Sequence, residues 1–220
     1  MSAIALFDLD GTLTDPIPAL ISCHRWALEQ VELDFDKLID ERSESDLAEL
    51  VRLPVAEVHK SLDVPEAVAS RAANIFRERR PIAGFLEDQL YPGVADLLAD
   101  LGKKGWRLGV ATNQFEPVVE RTLERLGIAD LFEIVVGSDV ARTRIIKTRV
   151  LSHVESNLED PPEGFVVVAD RGSDMEAARE LEMTSIGAAW GFGSIDELIA
   201  ANADAVAIKP SDVSELLVDP

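Results

Sequence analysis

Short apolar runs separated by longer segments of helical period recur along most of this chain, and few folds accept that rhythm. A strand that is apolar on both of its faces needs cover on both, which a parallel sheet flanked by helices provides. Phe165-Val166-Val167-Val168-Ala169 is the plainest case, since no polar residue interrupts it. Strands are therefore expected at Ala3–Phe7, Arg107–Ala111, Glu133–Val136, Gly164–Ala169, Thr184–Ala188 and Ala205–Ile208. Helices are expected between them at Val94–Lys104, Pro117–Leu126, Ile145–Leu158, Asp174–Leu181 and Ile195–Ala201. The fold class is α/β, with a doubly wound parallel sheet.

The rhythm breaks once. From Pro16 to about Gly84 there is no convincing strand, only helical periodicity interrupted at Pro54, Pro65 and Pro81. The expected organisation is a core formed by residues 1–15 and 85–220, carrying a helical insertion at 16–84. Ile17, Leu20, Ile21, Trp26 and Leu28 mark an apolar face on the first inserted helix, and Val68, Ala69, Ala72, Ala73 and Ile75 mark another.

Composition narrows the function. Asp and Glu total 41 against 21 Lys and Arg, a formal charge of −20. That balance speaks against nucleic acid or an anionic membrane as partner, because both demand clustered cations. No apolar run approaches the ~18 residues of a membrane span, and the N-terminus has no basic leader, so a cytoplasmic protein is expected. Cys23 is the lone cysteine, which excludes an internal disulfide and any cysteine-cluster metal site. It reads as a packing residue. His24, His59 and His153 are scattered without metal-ligand spacing and read as structural or surface residues.

Open α/β sheets bind ligands at the carboxyl ends of their strands. The first strand runs into Asp8-Leu9-Asp10-Gly11-Thr12-Leu13-Thr14-Asp15, the second into Thr112-Asn113, and the fourth into Asp170-Arg171-Gly172-Ser173-Asp174. Lys147 follows the third strand at about ten residues. Asp8 and Asp10, two apart, share a face while strand geometry persists, and Gly11 then permits a sharp turn. Acids after a strand also serve as turn-formers and helix caps, so these residues alone leave both readings open.

Together they resemble a known family. Phe7-Asp8-Leu9-Asp10-Gly11-Thr12-Leu13-Thr14-Asp15 is similar to the first motif of the haloacid dehalogenase-like hydrolases, in the DxDG[TV] form of their phosphatase branch. Thr112 resembles the second motif, Lys147 the third, and Asp170 with Asp174 the fourth. Tyr91-Pro92-Gly93-Val94, Gly137-Ser138-Asp139 and Trp190-Gly191-Phe192-Gly193 resemble the phosphoglycolate phosphatase-like subgroup, whose helical cap occupies the place of the insertion. Two positions depart from the pattern: Ala169 stands where the family usually has Gly, and no Pro follows Lys147. The Gly191-Phe192-Gly193 segment lacks the spacing and Lys of a phosphate loop and reads as a strand-to-helix connection.

The resemblance implies a Rossmann-like core and a Mg²⁺-dependent phosphatase acting on a small phosphorylated metabolite. In that scheme Asp8 forms an aspartyl-phosphate and Asp10 moves the protons. Thr112, Asn113 and Lys147 bind the phosphoryl group, while Asp8, the backbone of Asp10, Asp170 and Asp174 hold the metal. Asp10 disfavours a dehalogenase, which lacks the second acid. A sugar-phosphate mutase keeps both acids and is the alternative enzyme; a catalytically inactive binding protein is the alternative from another class. The monomer and the homodimer both remain open. Glu41-Arg42-Ser43-Glu44-Ser45 falls where a specificity loop is expected, and Arg42, its one cation, is the candidate substrate contact.

Overall fold

The computed structural model describes residues 3–141 and 143–220, and the elements below belong to these described residues. In chain order, β1 (Ala3–Phe7) and a short β2 (Thr14–Asp15) precede five helices. These are α1 (Ile17–Glu29), α2 (Phe35–Leu38), α3 (Glu44–Val51), α4 (Val55–Ser61) and α5 (Glu66–Glu87). The chain continues through β3 (Gln89–Leu90), α6 (Val94–Lys103), β4 (Arg107–Phe115), α7 (Glu116–Leu126) and β5 (Ile134–Ser138). It ends with α8 (Lys147–Asn157), β6 (Gly164–Ala169), α9 (Gly172–Glu180), β7 (Thr184–Ala188), α10 (Ile195–Ala200), β8 (Ala205–Ala207) and α11 (Pro210–Leu216). No described helix is long and apolar enough to cross a membrane.

Two compact units result, one of residues 1–15 with 89–220 and the other of residues 16–88. The first is built on a parallel sheet of order β5-β4-β1-β6-β7-β8. Alternation along its central strands explains why it is covered twice. Ala5, Phe7, Val166 and Val168 face one layer, where they meet Leu97, Leu98 and Leu101 of α6 and Val119 and Leu123 of α7. Ile4, Leu6, Val167 and Ala169 face the other, against Val150, Leu151 and Val154 of α8 and Met175 and Ala178 of α9. At about 1.5–3 kcal/mol for each large side chain removed from water, these two layers dominate the core's stability. The chain winds outward from β1 through β4 and β5, then returns beside β1 at β6. This reversal opens the crevice at the strands' carboxyl ends.

The second unit is helical throughout, and three expectations about it need correction. Pro81 does not interrupt a helix: it lies inside α5, although its missing N–H forfeits a bond. Ala83, on the far side of the proline, is buried with Ala19 and Cys23 of α1 and Phe76, and this packing carries the helix through. The buried stripe of α1 is rotated from the expected face. Ala19, Cys23, His24, Ala27 and Leu28 line it, while Trp26 is 44% exposed with the Arg79 guanidinium 5.3 Å from its ring centroid. Small side chains let the helices approach where indole would not fit. Finally, His24 and His59 are not scattered. Their rings meet in the interior, with His24 Nδ1 3.4 Å from His59 Nε2. Cys23 is buried, as its reading as a packing residue requires.

Candidate active site

Asp8 leaves β1 at its carboxyl end, and its backbone N–H donates to the Val168 carbonyl at 2.9 Å. The neighbouring strands are thereby held together at the point where their polar residues begin. Lys147, the first residue of α8, projects into the same space. Its Nζ lies 2.9 Å from Asp8 Oδ1 and 3.3 Å from Asp174 Oδ1, and it donates to the Ala111 carbonyl at 2.8 Å. Burial works against the charge of Lys147, but the Asp8 and Asp174 carboxylates outweigh it and hold the ammonium above its ordinary value.

Asp170 follows β6, and Asp174 stands one turn along in α9. Ligand-capable oxygens of Asp8, Asp170 and Asp174 all lie within 4.8 Å of one another. Burial, aided by the charge of Asp8, pushes Asp170 up to about 7, and burial raises Asp174 despite the nearby Lys147. Three carboxylates facing one ammonium leave negative charge uncompensated. Among the described residues Asp170 Oδ1 is buried without a hydrogen-bond partner, while Oδ2 accepts from the Phe192 backbone N–H at 2.8 Å. An all-oxygen donor set with an unsatisfied buried oxygen fits a hard divalent cation.

The chain closes around Asp170 with glycines. Gly11 has φ +83°, and a Cβ there would stand 2.2 Å from Asp170 Oδ2. A Cβ at Gly191 would stand 2.1 Å from the Gly11 carbonyl. The Trp190-Gly191-Phe192-Gly193 segment is thus a strand-to-helix connection that also supplies a donor to the acidic cluster, a role that sequence spacing does not reveal. Ala169, the departure from the family's glycine, lies in β6 without positive φ and packs into the core.

Asp10 is held differently from Asp8. Its Oδ2 accepts from Gln114 Nε2 at 2.5 Å, and its Oδ1 lies 3.3 Å from Thr14 Oγ1. Thr112 is buried near the end of β4, and its Oγ1 accepts from the Gln114 backbone N–H at 3.3 Å. Asn113, between them, is exposed and lines a surface cleft with Ile145, Lys147 and Ser173. The structure therefore gathers Asp8, Lys147, Asp170 and Asp174, sets Asp10 beside Gln114, and leaves Asn113 at the rim. Arg42 lies in the helical unit, exposed, and donates to the Ser61 carbonyl at 3.3 Å. Gln114 falls outside the motifs, although strand alternation two residues after Thr112 is a signal for it.

Known proteins share this arrangement of chain. The chain is 34% identical over 194 residues to the tyrosine-protein kinase PtkA of Mycobacterium tuberculosis, covering 88% of this chain and 64% of that protein's length. It is 32% identical over 215 residues to the phosphoglycolate phosphatase of Synechococcus elongatus, covering 97% and 95%. The crystal structure of a predicted phosphatase from Clostridium acetobutylicum superposes with a TM-score of 0.77 at 26% identity, covering 99% of each chain. Residues 5–188, which hold every member of the acidic cluster, match the model of the haloacid dehalogenase-like hydrolase family, and the chain belongs to that family.

Proposed function

We propose that this chain is a Mg²⁺-dependent phosphatase that hydrolyses a small phosphate monoester through an aspartyl-phosphate on Asp8. The observation that carries the reading is the convergence of Asp8, Asp170 and Asp174 within 4.8 Å, with Lys147 bonded to Asp8 and the second acid, Asp10, held apart from that cluster. Asp8, the backbone carbonyl of Asp10, Asp170 and Asp174 would hold the cation. When bound, Mg²⁺ supplies the positive charge that lets an anionic nucleophile approach an anionic ester.

The side chains divide the remaining work. An Asp8 oxygen bonds to phosphorus as the bond to the leaving oxygen breaks, and Asp10 gives that oxygen a proton. Asp10 then takes a proton from water, whose oxygen bonds to phosphorus as the Asp8–phosphorus bond breaks. Lys147 and the Thr112 hydroxyl hold the phosphoryl oxygens through both displacements, and Asn113 supports them from the rim. Lys147 suits this because its charge is fixed by Asp8 and Asp174 against the cost of burial.

Water as the acceptor is supported by the Synechococcus relative, which is matched over 95% of its length. The kinase-named relative is matched over 64%, so its name speaks for a longer protein. The helical unit, residues 16–88, serves as the cap in this reading, with Arg42 as its contact to the leaving group. Its support is topological, because the unit is inserted between β2 and β3, which pair with each other. Substrate classes are phosphoglycolate, nucleotide and sugar phosphates. Phosphate release from a panel of these metabolites, with and without Mg²⁺, tests the reading. Release without a metal requirement, or none from wild type, defeats it, and a requirement for a bisphosphate activator favours the mutase.

A further inference from the structure

Gln114 belongs to none of the family's motifs, yet its side chain ends on Asp10. Nε2 donates to Asp10 Oδ2 at 2.5 Å. While Asp10 is ionised, the opposite amide orientation would set Oε1 against a carboxylate oxygen, so Nε2 is assigned as the donor to that form. The Thr14 hydroxyl is a weaker donor to the same carboxyl: Oγ1 lies 3.3 Å from Asp10 Oδ1 and 3.2 Å from the Leu9 carbonyl. One hydroxyl proton serves one of those acceptors fully, not both. Gln114 therefore makes the stronger of these two contacts.

The backbone beneath Gln114 is specially built. The β4–β5 register shifts between Ala111 and Phe115, and such irregularities re-aim side chains beside active sites. The Gln114 carbonyl lies against Gly137, where a Cβ would stand only 2.5 Å away. Glu116 secures the same corner, accepting from the Gly137 N–H and from Arg144, each at 3.0 Å. The bend, the bare glycine and the ion pair fix where the carboxamide can reach. A carboxamide nitrogen donates but does not accept, so it orients Asp10 without competing for the proton in transit.

We infer that Gln114 is a positioning residue for Asp10, holding its carboxyl where it meets first the leaving oxygen and then water. The inference rests on the reading of Asp10 as proton carrier. Its test uses the full chain with Mg²⁺, as wild type, Gln114→Met, Gln114→Glu, Asp10→Asn and the Asp10→Asn/Gln114→Met double variant. Met preserves length and removes the donor, and Glu preserves shape and reverses the polarity. Circular dichroism and thermal midpoints establish that each variant is folded. The probes are 4-nitrophenyl phosphate, whose leaving group needs little protonation, and the best alkyl phosphate among 2-phosphoglycolate, a sugar phosphate and a nucleoside monophosphate.

For Gln114→Met, kcat/KM on the alkyl phosphate should fall about 10- to 100-fold, part of the usual contribution of general acid catalysis, with a change within about threefold on the aryl phosphate. Gln114→Glu should lose at least as much on the alkyl phosphate. Adding Gln114→Met to Asp10→Asn should cost nothing further, because the residue acts through the one already removed. Equal losses on both substrates, no loss on the alkyl phosphate, or a further loss in the double variant would overturn the inference. If Asp10→Asn shows the leaving-group signature and Gln114→Met does not, the positioning role alone fails. If wild type releases no phosphate, or Asp10→Asn matches it on both substrates, the underlying assignment fails as well.

Discussion

Asp8 and Asp10 are chemically the same residue in two settings, and the difference predicts separable defects. Asp8 is paired with Lys147 beside Asp170 and Asp174, whereas Asp10 accepts from Gln114. Asp8→Asn should abolish turnover on every substrate, because no phosphoryl adduct can form. Asp10→Asn should retain phosphorylation by aryl phosphates and accumulate phospho-enzyme, visible by intact mass after a single turnover; a wild-type rate in Asp8→Asn would refute the covalent route. A second residue-scale expectation concerns His24. His59 Nδ1 faces the Ala69 carbonyl at 3.3 Å and so carries a hydrogen, leaving Nε2 to accept from His24 Nδ1. Burial, with a smaller contribution from His59, lowers His24 from 6.5 to about 3. The unfolded chain binds the proton first, so this stability is complete above about pH 6.5 and is lost as pH falls toward 3, at up to about 1.4 kcal/mol per pH unit. Urea titrations of wild type and His24→Phe at pH 7, 5 and 4 check the sign: the difference between them should shift in favour of the variant as pH falls.

At the level of elements, the loop after β7 makes a sharper test than any strand. Gly191→Ala would drive a Cβ into the Gly11 carbonyl and the Asp170 side chain, pulling the Phe192 N–H from Asp170. Loss of a hydrogen bond to a charged group costs about 1.5–3 kcal/mol, so on the proposed Mg²⁺ reading the metal concentration at half-maximal activity should rise roughly tenfold or more; an unchanged value would mean that the loop does not support the proposed metal ligands. The strands are legible in the sequence because burial on both faces disfavours polar interruption, and β1 and β6 begin and end where their apolar runs do. β4 extends past Ala111 to Phe115 because pairing with Ser138 resumes after the register shift, through polar residues that an apolar criterion passes over. α11 escapes the same criterion because a short amphipathic stretch after Pro210 carries little periodicity. The same logic separates the site residues. Asp8, Lys147, Asp170 and Asp174 follow strands in order and can be read from the sequence. Alternation after Thr112 marks the face of Gln114 but not its reach, which depends on the register shift in β4, and the histidine contact depends on α1 and α4 packing together, which no local pattern encodes.

For the whole molecule, charge is the dominant global property. With 41 acids against 21 lysines and arginines, self-repulsion should weaken the fold in dilute buffer, and screening should restore it. The melting temperature is expected to rise toward roughly molar KCl, where the Debye length shrinks to ~3 Å, and a flat or falling curve would contradict this. The architecture separates properties in another way. Thr14 and Asp15 pair in antiparallel register with Leu90 and Gln89, so the chain leaves the sheet-bearing unit and re-enters it at adjacent points. An intervening segment whose two ends meet at one rung can be exchanged like a loop, whatever its length, since closing longer excursions adds little entropic cost. Asp8, Asp10, Lys147, Asp170 and Asp174 all lie outside that segment, whereas Arg42 lies within it. The rung is therefore a grafting point, across which a new helical unit could be spliced while the acidic cluster stays as it is, so that, on the proposed reading, substrate preference could evolve separately from the catalytic acids.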